Sequence, residues 1–280
     1  MEVFQGAWFV RLRCVERRGM YAAAEIDGVG VCLTGQRGTQ NTVWAVEHAQ
    51  GPDRASVLLR GAYGRYLSSA NGVVATQADL EQDRRPRGLL WHVMRRRGAF
   101  LVGCGLGHYL RANGRYLWWR RGVTVAEDNH STMLLWTVER VRPRLTRPSI
   151  LDPTYQLTHR FRGTVTQGAV TRLIRFIRCE PNGDFHEAAW WAADVATNNL
   201  MQLWLTMARS MGLGPVDLTR TTICIRAGRS GQFSPLQIDL PLGNNRIDIV
   251  LVNHATPAGN NLRYPDLDAP EDALQSEDIN

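Results

Sequence analysis

Two stretches of the chain carry residues at spacings close to those that do chemistry. Gly103-Cys104-Gly105-Leu106-Gly107 supplies the glycines of a phosphate-cradling turn. Such a turn leaves a strand and opens a helix, so that the phosphates meet unpaired amides at the helix N-terminus. Here the glycines lack that spacing and precede a strand pattern, so a hairpin turn is expected. His186-Glu187-Ala188-Ala189-Trp190 begins like a zinc-binding His-Glu-x-x-His helix, but Trp190 stands where the second imidazole is required. The chain has no P-loop and no Gly-x-Ser-x-Gly elbow. No catalytic residue, cofactor or metal site is expected, and the chain reads as non-enzymatic.

Charge offers a different chemistry. The formal net charge is +7, and all 33 basic residues are arginine. A GC-rich coding sequence accounts for the missing lysine more simply than escape from lysine modification. The candidate binding rim is Arg84, Arg85 and Arg87 with Arg95, Arg96 and Arg97, at one turn and the start of the next unit. Such clusters hold acidic protein surface or phosphate groups. A protein partner is expected, ahead of nucleic acid.

The elements that carry these residues are set by a repeat. Trp44-Ala45-Val46, Trp91-His92-Val93 and Trp136-Thr137-Val138 recur at spacings of 47 and 45 residues. A Gly-x-Tyr precedes each, ending at Tyr21, Tyr66 and Tyr109. Each unit reads as four short strands with turns at Asp27-Gly28, Asn71-Gly72 and Asn113-Gly114. Propellers need about four to eight blades to close, so three units describe a β-trefoil. Tyr21, Trp44, Tyr66, Trp91, Tyr109 and Trp136 are the expected plugs of its core, since large aromatics carry most apolar area per residue.

From Arg142 the repeat gives way to a basic segment with Pro143 and Pro148. The expected organisation is a trefoil over 1–141, a linker over 142–160, a second domain over 161–255 and an acidic disordered tail over 256–280. The second domain reads as strands at 171–178 and 188–194, then a helix from Thr197, its N-cap, to Gly212, its stop. Strands are expected at 221–226, 236–240 and 247–252. That order suits a smaller α+β ubiquitin-like β-grasp domain.

The five cysteines, Cys14, Cys32, Cys104, Cys179 and Cys224, are odd in number and scattered within strand patterns. They read as reduced thiols in the cytoplasm or nucleus. Neither a signal-peptide pattern nor a run of 18 apolar residues occurs, so secretion and membrane insertion are not expected.

The N-terminal half resembles a plant family of domains placed in the fascin-like, actin-crosslinking β-trefoil superfamily. The match rests on Met1-Glu2-Val3-Phe4, Val10-Arg11-Leu12-Arg13, Ala62-Tyr63-Gly64-Arg65-Tyr66-Leu67, the run Tyr109 to Leu117, and Ser131-Thr132-Met133 before Trp136. Arg226-Ala227-Gly228-Arg229 and Pro235 to Pro241 are similar to that family's C-terminal region. The resemblance implies a plant protein and a trefoil. It makes actin a candidate partner, although one trefoil supplies one face and crosslinking needs two. A ricin-type sugar site calls for Gln two residues before each Trp, where Thr42, Leu89 and Leu134 stand. A non-enzymatic protein-interaction scaffold is the leading expectation, followed by actin-filament side binding and then carbohydrate binding.

Overall fold

The computed structural model describes residues 2–49, 55–81, 86–114, 121–144, 146–148 and 171–270. The first repeat unit supplies β1 (Phe9–Cys14), β2 (Tyr21–Ala24), β3 (Val31–Thr34) and β4 (Trp44–His48). The second supplies β5 (Val57–Arg60), β6 (Tyr66–Ser68), β7 (Thr76–Ala78) and β8 (Trp91–Arg96). The third supplies β9 (Ala99–Cys104), β10 (Tyr109–Ala112), β11 (Val123–Ala126) and β12 (Leu135–Val141).

The outer strands of the units close a barrel. Strand β12 pairs with β1, β1 with β4, β4 with β5, β5 with β8, β8 with β9, and β9 again with β12. The inner strands form three hairpins that meet over one end through bridges Gly30 to Thr76, Cys32 to Gly122 and Val74 to Thr124. This is a β-trefoil. Trp44, Trp91 and Trp136 are each fully buried in its core. Their indole nitrogens donate to Ala22 O, Leu67 O and Leu110 O at 3.1, 2.8 and 2.9 Å. Each acceptor is the residue after the repeated tyrosine, so the two sequence markers of a unit are joined by one hydrogen bond. A buried indole N–H needs such a partner, and the repeat provides it three times.

The second domain comprises β13 (Arg172–Arg178), β14 (Trp191–Val195), α1 (Leu200–Met211), α2 (Pro215–Arg220), β15 (Thr221–Arg226), β16 (Ser234–Pro235), β17 (Ile247–Asn253) and α3 (Pro257–Asn260). Its sheet runs β14-β13-β17-β15-β16, with β13 and β17 parallel at the centre. Alternation along β13, β15 and β17 sends Ile174, Phe176, Ile223, Ile225, Ile249 and Leu251 to the face packed on Leu203, Trp204 and Met207 of α1. Gly212 ends α1 in the left-handed conformation at φ 64°. The N-cap differs from expectation. Asn199 accepts from Gln202 N at 3.0 Å, while Thr197 lies two residues earlier and receives the Asn199 amide.

The expected strand at 236–240 is also replaced. Pairing with β15 covers only Ser234 and Pro235, after which Leu236 and Leu240 enter the second domain's core and Ile238 enters the trefoil core. One segment thereby packs into both domains. Gly228, at φ +82°, brings its backbone so close to Leu80 that an added Cβ would stand 2.5 Å from the Leu80 carbonyl. Leu80 N donates to Ala227 O at 2.9 Å and Ser230 N donates to Leu80 O at 2.9 Å.

The expected disordered tail is corrected over its described part. Helix α3, Leu262 and Tyr264 cover the outer sheet face on Ile177, Val250 and Val252. Leu267 is buried against Phe9, Val43 and Val141 of the trefoil. Residues 271–280 lie outside the described residues. The linker is likewise structured where described, since Arg144 N donates to Tyr264 O and Asp266 N donates to Arg142 O at 2.7 and 2.8 Å. Acidic composition misled here because Leu262, Tyr264 and Leu267 recur at a spacing that suits neither strand nor helix, yet bury on two different surfaces.

Candidate functional site

The β-register of the trefoil places an arginine opposite the repeated tyrosine in two units: Arg13 faces Tyr21 and Arg60 faces Tyr66. The third unit has Gly103 opposite Tyr109. Three residues after each repeated tryptophan stand Glu47, Met94 and Glu139. These positions meet in space. Tyr66 Oη donates to Glu47 at 3.1 Å, and Arg60 pairs with the same carboxylate. Tyr21 Oη reaches Glu139 at 3.3 Å, and Arg13 Nε pairs with it at 3.0 Å. Two units thus carry an Arg–Tyr–Glu cluster, and the third carries Gly103, Tyr109 and Met94.

Electrostatics holds the Arg60 cluster charged. Burial alone would lower the Arg60 guanidinium, but Glu47 beside it outweighs burial and leaves it raised. Burial, with Glu47 next, pushes the Tyr66 hydroxyl up, so it remains a neutral donor. Both clusters hold main chain of the C-terminal half. Arg60 donates to Phe233 O at 3.3 Å, and the Tyr66 oxygen accepts from Gln232 N at 3.1 Å. Around Glu139, Arg37 donates to Ala269 O at 3.2 Å and Arg11 to Leu267 O at 3.0 Å.

The Arg60 cluster borders a groove of about 860 Å³ between the two domains. Strands β4 and β5 and the segment before β1 form one wall, and residues 182–187, 226–237 and 258–265 contribute to the other. Trp8, 52% exposed, stands on its edge with the Arg263 guanidinium 5.0 Å above the ring. Across the groove, Phe185 packs edge-on to Trp190 with centroids 5.5 Å apart and tilted on Phe233 at 6.3 Å. Arg226 lies 4.9 Å over Phe185 and pairs with Glu187 at 3.1 Å. Gln40, a lining residue, is buried, and its Oε1 has no hydrogen-bond partner among the described residues. Aromatic side chains and arginine are the residue types enriched where protein surfaces meet.

The predicted arginine rim is distributed differently. Arg84 and Arg85 lie outside the described residues. Arg87 is exposed before the start of β8, and Arg95 to Arg97 are at its far end. The intervening strand separates them by roughly 17 Å at about 3.3 Å per residue. Arg96 donates to Asn129 O, and Arg97 turns the β8–β9 hairpin at φ 50°. None of the described four, Arg87, Arg95, Arg96 and Arg97, lines the groove. Of the predicted core aromatics, five are buried, while Tyr109 is half-buried beside Leu101 and Leu134.

Sequence reasoning missed Trp8, which precedes the first repeat marker, and Phe185 and Phe233, which sit in irregular loop segments. The Arg–Tyr–Glu clusters had a signal, namely Glu at the third position after Trp in two of three units. It lay outside the markers used to define the repeat.

Fold and groove define a two-domain protein, a β-trefoil with a ubiquitin-like domain seated on its side. Residues 1–139 match the β-trefoil domain of unknown function DUF569, and residues 170–252 match the DUF569-associated ubiquitin-like domain. The chain carries both. No curated protein matches it. Among solved structures it is similar to a Polyporus squamosus lectin bound to a human-type influenza-binding epitope, with 13% identity, 50% of this chain and 51% of that chain covered, and a TM-score of 0.42. It is similar to the BEL beta-trefoil at 17% identity, covering 49% of this chain and 94% of that one, with a TM-score of 0.40. A mosquitocidal holotoxin gives 14% identity, 50% and 18% coverage, and a TM-score of 0.41. The chain therefore spans under a fifth of the holotoxin and about half of the lectin. No residue role is transferred from any of the three.

Proposed function

We propose that the protein is a non-enzymatic interaction module that binds a protein segment in the groove between its two domains. One observation carries this reading. The seam joins the domains through backbone at Leu80 and Ala227 and through Tyr66 and Gln232, yet leaves a wide aromatic and arginine-lined groove beside it. A fixed groove lets a partner bind without first ordering the two walls, which lowers the entropic cost of association. Residence in the cytoplasm or nucleus fits this reading, because all five cysteines are buried free thiols.

A photo-crosslinking side chain tests the proposal. Placed at Ser230 in the groove wall it should capture a discrete cellular protein, whereas the same group at Arg97 should not. Capture at position 97 alone would move the interaction to the β8–β9 turn. Actin-filament binding is tested separately by co-sedimentation at low salt: pelleting abolished by Trp8→Ala would make actin the groove's partner. Pelleting that survives Trp8→Ala and is lost with Arg95→Glu would place filament contact on the rim.

A further inference from the structure

The charges of the groove between the domains do not cancel when they are paired one by one. Its lining carries three carboxylates, Glu47, Asp184 and Glu187, and four guanidinium groups, Arg60, Arg226, Arg229 and Arg263. Every one of the carboxylates is already engaged. Glu47 accepts from Arg60 and from the Tyr66 hydroxyl, and Asp184 accepts from the Asn182 side-chain amide at 2.7 Å. Glu187 accepts from Arg226 and from the Trp190 indole, both at 3.1 Å. Burial would raise the Glu187 pKa, but these two hydrogen bonds outweigh it and hold the group below its ordinary value.

Two guanidiniums are left without a carboxylate among the described residues. Arg263 lies over the Trp8 ring and spends its Nη1 on the carbonyls of Asn260 and Leu262, at 2.6 and 3.0 Å. Its Nε and Nη2 have no partner among the described residues. That edge presents two parallel N–H groups, the arrangement that matches the two oxygens of a carboxylate. Stacking on Trp8 holds the fork in place beforehand, so less side-chain entropy is lost when an anion meets it. Arg229 is exposed, and its carbonyl accepts from Arg226 while its own guanidinium contacts none of the described residues. A basic segment in the groove would meet both groups as like charges, and a neutral one would cover them without supplying a partner.

The geometry points to an acidic protein segment as the occupant of the groove, with one carboxylate on the Nε–Nη2 edge of Arg263 beside Trp8 and another on Arg229. This inference rests on the groove being the binding surface and adds the charge of the partner. The carboxylates of the groove do not oppose such a segment strongly, because each is already matched by donors of the chain itself.

The test pans a random peptide library on the folded full chain and measures the selected peptides by fluorescence anisotropy, each beside an analogue with Asn and Gln in place of Asp and Glu. The selected peptides should be richer in Asp and Glu than the unselected library, and their analogues should bind about tenfold more weakly or worse. Arg229→Gln and Arg263→Gln should each weaken the acidic peptides several-fold and leave the neutral analogues unchanged, and affinity should fall as salt rises. Arg229→Gln keeps the test independent of folding, since that side chain contacts none of the described residues. Selected peptides that are lost on Trp8→Ala yet are neutral, or ignore both arginine variants, would overturn the acidic partner and leave the groove reading standing. Peptides indifferent to Trp8→Ala would remove the groove and this inference with it. A fluorescent oligo(dT) that binds more tightly than every selected peptide and is lost with Arg229→Gln would make the partner a nucleic acid and also overturn the proposal.

Discussion

The Tyr66 hydroxyl of the trefoil accepts the Gln232 amide of the ubiquitin-like domain at 3.1 Å while bonding Glu47 on its other side. A residue that the repeat marks as a core plug therefore also fixes the second domain. Tyr66→Phe keeps the ring but leaves Gln232 N and the buried face of Glu47 without this partner. A loss of about 1–3 kcal/mol is expected, the cost of unsatisfied buried polar groups. Urea unfolding followed by tryptophan fluorescence measures it, and unchanged stability would mean that the hydroxyl is dispensable to the seam.

The three tryptophans should respond alike. Each is fully buried, and each indole nitrogen bonds the carbonyl after its unit's tyrosine. Replacement of Trp44, Trp91 or Trp136 by alanine should cost about 3–5 kcal/mol through cavity formation. Denaturant midpoints of the three variants provide the check. One variant as stable as the parent would break the threefold equivalence.

Gly228→Ala should open the seam. The position has φ +82°, and a Cβ there would stand 2.5 Å from the backbone of Leu80, which cannot swing away as a side chain can. The expected readout is hydrogen exchange, with the amides of Leu80 and Ser230 losing protection because both bonds cross this contact. Retained protection at both would show that the seam tolerates the methyl group.

Glu25 gives the stability a pH dependence of defined sign. Burial, and then Asp27, raise its pKa in the folded chain. The folded chain thus holds the proton more tightly than the unfolded chain, so this contribution favours folding at low pH and is lost as pH rises through the folded value. Glu25→Gln should therefore be more stable than the parent at pH 7, with the difference shrinking as pH falls below the ordinary carboxylate range. A parent that stays more stable at pH 7 would reverse the sign and contradict the burial argument.

Much of the fold was legible because the trefoil states its core three times. The strand pairings, the hairpins and the tryptophan indole bonds all follow the period of the two markers. The second domain was legible where periodicity was strong, as in α1 and the alternation of β17. It was not legible at 236–240, because Leu236, Ile238 and Leu240 serve two cores and the bend at Ile238 leaves no strand ladder. The tail failed for a related reason: Leu267 gains its burial from the trefoil, far away in sequence. The groove was hidden because strands β4 and β5 of the trefoil form one wall and residues from loops of the C-terminal half contribute to the other. Arginine clustering in sequence pointed elsewhere, since strand β8 holds Arg87 apart from Arg95 to Arg97.

The most direct measurement is the affinity of peptides selected from a random library on the folded chain, compared on the parent, Trp8→Ala and the double variant Arg95→Glu, Arg97→Glu. If the groove is the binding surface, selected peptides lose at least tenfold affinity on Trp8→Ala and bind the double variant like the parent. Peptides indifferent to Trp8→Ala and lost on the double variant would contradict the groove and place binding at the β8–β9 turn.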